Sequence, residues 1–263
     1  ETWLKKRFDL FEMFCFPSLK GQSCKDFIWF VLFDVNTPPE YKNRIKILQN
    51  DFSCFFPLFL EAGDKECVHS ALIKAINSMT DENIKYIITT RIDNDDSFHK
   101  DMIKDTRKFY EMNTAESFLN FNYGIQYDLM NQFAVHMFYQ NNHFISRLEK
   151  NNNLLETVLI YDHTQIDKIK DVNYINNKKK PMWVEVVHDT NLSNWMKTSY
   201  PVFSKDYFKQ FNISVSLDSK RSYEELYHYL TSKLYQGLSF FFSKIGLFRE
   251  FKKIIKLFKK ISE

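Results

Sequence analysis

Glycine and proline are scarce in this chain, five and six among 263 residues, which argues against repeat-rich β architecture and against long flexible linkers. Cysteine is scarce too. Cys15, Cys24, Cys54 and Cys67 form no CxxC pair and no Cys/His cluster at zinc spacing, so they read as free thiols in a reducing compartment. No stretch of about 18 apolar residues offers a bilayer span, and no signal peptide is visible. The net charge of +3 is too small to imply nucleic acid. What the chain has in quantity is aromatic: 27 Phe and 14 Tyr, suited to a ligand groove or a membrane-facing surface, or simply to an A/T-rich coding sequence. With 44% hydrophobic and 26% charged residues it reads as a soluble globular protein, long enough for one large α/β domain with an appendage.

The first part of the chain alternates strand-like and helix-like segments. Phe27–Phe33 is a continuous apolar run ending at Asp34, as a strand buried on both faces should read. Pro38-Pro39 opens a helix over 40–50, since Pro is tolerated in a first turn. A run over 55–60 precedes a helix over 66–79, and the strand 86–90 delivers Arg91-Ile92-Asp93-Asn94-Asp95-Asp96 to a helix over 97–112. Such alternation predicts a parallel sheet with right-handed crossovers. Beyond Ala115, the segments 118–127, 133–139, 157–161 and 183–187 read as shorter strands, an antiparallel extension of that core. Lys178-Lys179-Lys180-Pro181 reads as a solvated turn, and from about Ser219 the pattern is helical.

The acidic cluster carries the chemistry. Ligands of open α/β sheets bind outside the carboxyl ends of strands. Side chains two apart in an extended chain point the same way, so Asp93 and Asp95 can converge there. Crowded carboxylates call for a cation, and a hard divalent ion bridging to phosphate oxygens is the usual solution. Asp95, Asp96 and Ser97 would also serve as helix caps, but one residue suffices for that. An EF-hand is excluded by the missing Gly and Glu at its sixth and twelfth positions.

Pro17-Ser18-Leu19-Lys20-Gly21-Gln22, the strand ending at Asp34, Thr37-Pro38 and the Tyr86–Asp96 segment together resemble the opening of GT-A glycosyltransferases, with a DxD motif at Asp93-Asn94-Asp95. More narrowly, Arg7-x-x-x-Phe11-Glu12, Pro17-Ser18-Leu19, Thr90–Asp96 and Trp183-Val184-Glu185-Val186-Val187-His188 resemble the family known as putative rhamnosyltransferases, over roughly residues 3–200. The family's first strand should precede Trp3 and is missing, and residue 1 is not Met. The resemblance implies a GT-A-like α/β domain over 1–215 (a Rossmann-like mixed sheet with flanking helices) and an α-helical tail over 216–263. It implies a metal-dependent transferase that moves a sugar, rhamnose by the family's name, from a nucleotide-sugar donor to a cell-surface polysaccharide or a lipid-linked glycan. Asp34 would bind the donor's base, Arg91 would pair with the neighbouring carboxylates or the diphosphate, and Asp93 would face the ribose or metal. Asp95 and His188 would complete a Mn²⁺ or Mg²⁺ site, although His188 would also fit a surface position before the Asp189-Thr190-Asn191 turn. The general base stays open among Glu149, Asp162-His163 and Asp128.

In the tail, Leu247, Phe248, Phe251, Ile254, Ile255, Phe258 and Ile261 share one side of a helical wheel, opposite Arg249, Lys252, Lys253, Lys256, Lys259 and Lys260. That pattern fits a helix lying on anionic lipid, or one packed on protein with its lysines solvated. The expected place is the bacterial cytoplasm, at the inner face of the membrane. Two rival readings remain at this stage: a metal-dependent phosphohydrolase or nucleotidyltransferase, and a catalytically inactive membrane-binding scaffold.

Overall fold

The computed structural model describes residues 2–61, 63, 65–81, 83–152, 154–161, 165, 168–191, 195–249 and 251–252. In chain order its elements are α1 (Thr2–Leu10), a π-helical turn (Phe11–Cys15), α2 (Phe16–Lys20), β1 (Trp29–Asp34), α3 (Pro39–Asp51), β2 (Phe55–Leu60), α4 (Lys65–Met79) and β3 (Tyr86–Thr90). Then come β4 (Ser97–Phe98), α5 (Met102–Met112), β5 (Ser117–Phe121), β6 (Tyr123–Asp128), β7 (Phe133–Phe138) and β8 (Ile145–Lys150). β9 (Val172–Ile175), β10 (Trp183–Val187), α6 (Asp206–Lys209) and α7 (Ser219–Lys244) complete the series.

Pro17 shapes the first segment. It has no N–H to donate four residues back, and just ahead of it the ladder widens so that the Phe16 N–H reaches Phe11 O. Phe8, Phe11, Cys15 and Leu19 enter one hydrophobic core with Phe55, Phe98, Phe144 and Trp183. Leu10 and Phe14 enter a second with Ile125, Val184, Val186 and Phe211. The segment is therefore wedged between both cores.

The sheets are mixed and flanked by helices, compatible with the expected GT-A-like architecture. β1 and β2 pair in parallel, from Trp29↔Phe55 to Asp34↔Leu60, with α3 as the crossover. β3 does not join them, as a single parallel sheet would require; it pairs antiparallel with β8 in the order β3-β8-β5-β9. The third sheet has the order β4-β10-β6-β7, and β10 runs parallel to β6.

Several expectations need correction. β1 is not buried on both faces: Leu32 is 40% exposed, since among the described residues β2 is its one strand partner. Ser97 and Phe98 are strand, not helix, because they pair with Val184 and Trp183 of β10, and the helix begins only at Met102. The segment 118–127 is two strands in different sheets. They part at Asn122, whose N–H turns to Ile175 O. In place of a strand over 157–161 there is a 3₁₀ turn, Val158–Ile160, capped by the Thr157 hydroxyl, which accepts the Leu159 N–H. Lys178 and Lys179 are exposed as a solvated turn should be, but Lys180 is partly buried with its Nζ 2.8 Å from both Asp101 and Asp105. The cysteines form no disulfide among the described residues, as expected.

Trp183 anchors the strand that matters most for the site. Its Nε1 donates to Phe121 O at 2.8 Å, and its ring stacks on Phe144 at 4.9 Å. A Cβ on Gly124 would lie 2.1 Å from that ring, so only glycine lets β6 pass. Burying about 200 Å² of indole contributes on the order of 5 kcal/mol, which fixes the register of β10 up to His188.

α7 is capped by Asp218, whose carboxylate accepts from the Lys220 and Arg221 N–H groups. The chain turns at Gly246 (φ 77°), and Phe251 folds back onto Phe242 and Tyr235, 4.9 and 5.6 Å between ring centres. Phe251 thus packs on protein and is buried. Ile254, Ile255, Phe258, Ile261 and the lysines from 253 onward lie outside the described residues. No helix among the described residues is long and apolar enough to cross a membrane.

Candidate active site

β3 ends at Thr90, and the loop that follows spreads four polar residues across two neighbouring constellations. In the first, the Nε2 of His143 lies 2.9 Å from Asp96 Oδ2 and 4.0 Å from an oxygen of the more exposed Asp93. Asp96 is buried, and its other oxygen accepts the Val186 N–H of β10 at 2.9 Å. Burial, reinforced by the charges of Asp95 and Asp93, pushes the Asp96 carboxyl up to about 7 despite the opposing effect of His143. For His143, burial disfavours the imidazolium, but Asp96 and then Asp93 prevail and raise it above its ordinary value. One donor atom from each of Asp93, Asp96 and His143 lies within 4.8 Å of the others. Two carboxylate oxygens and an imidazole suit Mn²⁺ better than a strict Mg²⁺ site.

In the second constellation, Asp95 Oδ2 lies 3.0 Å from Arg7 Nη1 and 2.9 Å from His188 Nε2. Arg7 also donates to the side chain of Asn94. Burial raises the Asp95 carboxyl, but the His188 hydrogen bond and the Arg7 charge outweigh it and hold Asp95 below the usual carboxylate range. His188 Nδ1 accepts the Thr190 N–H at 3.2 Å, which leaves Nε2 to donate to Asp95. Both ring nitrogens of His188 are therefore engaged within the protein. The expected trio Asp93, Asp95 and His188 is split: Asp95 and His188 meet, while Asp93 faces Asp96 and His143.

The Ser18-Leu19-x-x-Gln22 motif holds this loop from behind. Ser18 Oγ accepts the Phe98 N–H, and Gln22 Nε2 donates to Ser18 O and His99 O. Gln22 Oε1 accepts the Ile103 N–H, so both ends of the segment after Asp96 are clamped by α2 and its C-terminal turn.

Asp34 ends β1, where its Oδ1 accepts the Asn36 N–H. Phe8 stacks on the adjacent Phe33 while Arg7 reaches Asp95, so α1 spans from the end of β1 to the acidic loop. Arg91 donates to His143 O at 3.3 Å and so braces the cluster's own histidine. Glu149, one of the candidate bases, lies on β8. It pairs with Ile87 on β3, three residues before that strand ends, or roughly 10 Å along it. There its Oε1 accepts the Glu156 N–H and lies 3.3 Å from Arg147, while its buried Oε2 has no hydrogen-bond partner among the described residues. Asp128 caps the β6–β7 turn by accepting both N–H groups of Asn131. Asp162 and His163 lie outside the described residues.

Three residues near the cluster went unassigned in the sequence. His143 carries no spacing signal; its place is set by Asn142, whose buried amide bonds Asn120, Phe121 and Tyr139. Arg7 was visible only as part of a motif. Glu185 sits between two buried valines of β10 with its carboxylate on Gln126 Nε2 at 2.9 Å. Burial raises its pKa, partly offset by His143 and Gln126. A depression of 570 Å³ beside His99, Lys100, Lys179 and Tyr207 contains none of the acidic-loop residues.

A sequence model of the family described as "Putative rhamnosyl transferase" matches residues 1–200, which takes in every described residue of both constellations. No curated protein matches the chain.

Proposed function

The chain belongs to the putative rhamnosyl transferase family and is thus a glycosyltransferase, and on that premise we propose that it moves rhamnose from a nucleotide-activated donor with a divalent cation held by Asp93, Asp96 and His143. The observation that carries the reading is the close approach of those three donor sets at the end of β3. A cation bound there would neutralise the donor's diphosphate as it leaves. Arg7, clamped on Asp95 by an ion pair and only 20% exposed at its side chain, is placed to offer a second positive charge to the same phosphates. His188 orients Asp95 in this scheme.

The acceptor hydroxyl attacks the anomeric carbon as the bond from that carbon to the diphosphate oxygen breaks. Its proton goes to a carboxylate, and we assign that role to Glu185. Burial keeps its proton affinity above that of an ordinary Glu, as a general base requires, and the Gln126 amide fixes its direction. Asp34 is proposed for the donor's base. The acceptor is proposed to be a polysaccharide or lipid-linked glycan.

The test is release of nucleoside diphosphate from a panel of nucleotide sugars, with Mn²⁺ or with chelator. Metal-dependent release with a rhamnosyl donor supports the reading. Turnover of simple phosphoesters without sugar transfer would favour a phosphohydrolase instead.

A further inference from the structure

The distal half of α7 leaves the body of the protein. Among the described residues, its ring contacts with the body come from its first half: Arg221 over the Phe133 ring, Tyr223 beside Phe203, and Tyr229 beside Tyr200. From Leu230 to Gly246 the helix extends roughly 25 Å further, and its ring partner there is Phe251 of its own returning segment. At the far end, around the Gly246 turn, Phe240 is 64% exposed, Phe241 56%, Ile245 49% and Leu247 46%. An aqueous surface gains nothing from four large apolar side chains gathered at a projecting tip.

In the sequence, charge around the tip is predominantly basic, with Lys233, Lys244, Arg249 and Lys252 against Glu250. The run Leu234–Ser243 is uncharged and is bounded by Lys233 and Lys244, and between residues 226 and 249 there is no Asp or Glu. Lys244 Nζ lies 4.8 Å from the centre of the Phe240 ring, and Lys252 Nζ 4.6 Å from that of Phe248. Ammonium groups seated over aromatic rings put positive charge directly beside apolar surface, as the boundary between a lipid headgroup layer and acyl chains requires. We propose that this helical hairpin tip inserts Phe240, Phe241, Ile245 and Leu247 into the interface of an anionic bilayer, with Lys233, Lys244 and Lys252 as its headgroup contacts. The insertion is by the tip, with the apolar side of Phe251 already spent on α7, and not by a helix lying flat. This inference stands independently of the reaction assigned above.

The full chain is mixed with vesicles of phosphatidylcholine alone or with phosphatidylglycerol, at low salt and near 0.5 M salt, and sedimented. Wild type is expected to sediment with the anionic vesicles at low salt. The double variant Phe240→Ser/Phe241→Ser is expected to lose about tenfold or more in partitioning, while Tyr227→Ser near the base of α7 stays like wild type. A Phe241→Trp chain should be quenched by brominated acyl chains, and circular dichroism reads whether each variant keeps its helix. Equal partitioning of wild type and the double variant, or no quenching of the indole in the Phe241→Trp chain, overturns the proposal. So does a dimer in lipid-free sedimentation velocity that the double variant converts to monomer, which would mean a second copy covers the tip.

Discussion

His143 Nε2 lies 2.9 Å from Asp96 Oδ2 across 47 residues of sequence. The contact brings an imidazole from the loop before β8 to a carboxylate from the loop after β3, with Asp93 on its open side. If this is the cation site, His143→Ala and Asp93→Asn should each weaken Mn²⁺ binding about tenfold or more. His188→Ala, acting through the orientation of Asp95, should cost less. Calorimetric titration with Mn²⁺ reads all three. A larger loss in His188→Ala than in His143→Ala would return the cation to Asp95 and His188.

The two glutamates make opposite predictions. Glu185→Gln should lower turnover by about 10²-fold or more with donor affinity intact, because the amide keeps the shape but cannot take a proton. Glu149→Gln, away from the acidic loop and held by Arg147 and the Glu156 N–H, should leave turnover within about twofold while lowering stability. Steady-state kinetics on both variants is the check, and the reverse order would reinstate Glu149 as the base.

Gly124 and Trp183 set a packing test. A methyl at 124 would meet the indole at 2.1 Å, and the ring is hemmed in by Phe144 and by its bond to Phe121 O. Gly124→Ala should therefore cost about 1–3 kcal/mol in urea unfolding. It should also reduce turnover, because β10 carries Glu185 and His188. Wild-type stability in that variant would show that Trp183 moves freely.

His99 makes stability depend on pH. Burial first, then the charge of Lys180, depress it to about 4, and its Nδ1 accepts the Asp101 N–H. An ordinary His in the unfolded chain titrates near 6.5. Between those values the unfolded chain binds more protons, so the His99 contribution is intact above about 6.5 and is lost as pH falls toward 4. The slope from this one group reaches at most about 1.4 kcal/mol per pH unit. His99→Asn, which keeps an acceptor for Asp101, should flatten the slope of urea stability in that window. An unchanged slope would place the dependence on other groups.

Local pattern carried much of the fold. β2, β3 and β10 begin and end where their runs of aromatic, aliphatic and β-branched residues do, because such side chains suit a pleated, half-buried surface. Pro38-Pro39 and the Asp218 cap marked helix starts through constraints that act within a few residues. Asn122 was illegible for the opposite reason: the split it makes between β5 and β6 depends on Ile175, a partner 53 residues later. Ser97-Phe98 read as helix because their strand partners in β10 are remote in sequence.

The same division runs through the site. Residue order alone established that carboxylates crowd the end of β3 and that His188 closes a late strand, because each is a short-range pattern with its own physical reason. Folding of the whole chain set which carboxylate meets which histidine. Asp93 and Asp95 can converge in an extended chain, but the segment after β3 leaves the strand, so Arg7 and His188 take Asp95 while Asp96 turns inward to His143 and the Val186 N–H. Alternation fixes direction only while the backbone stays extended; past the end of a strand, long-range packing chooses the partners.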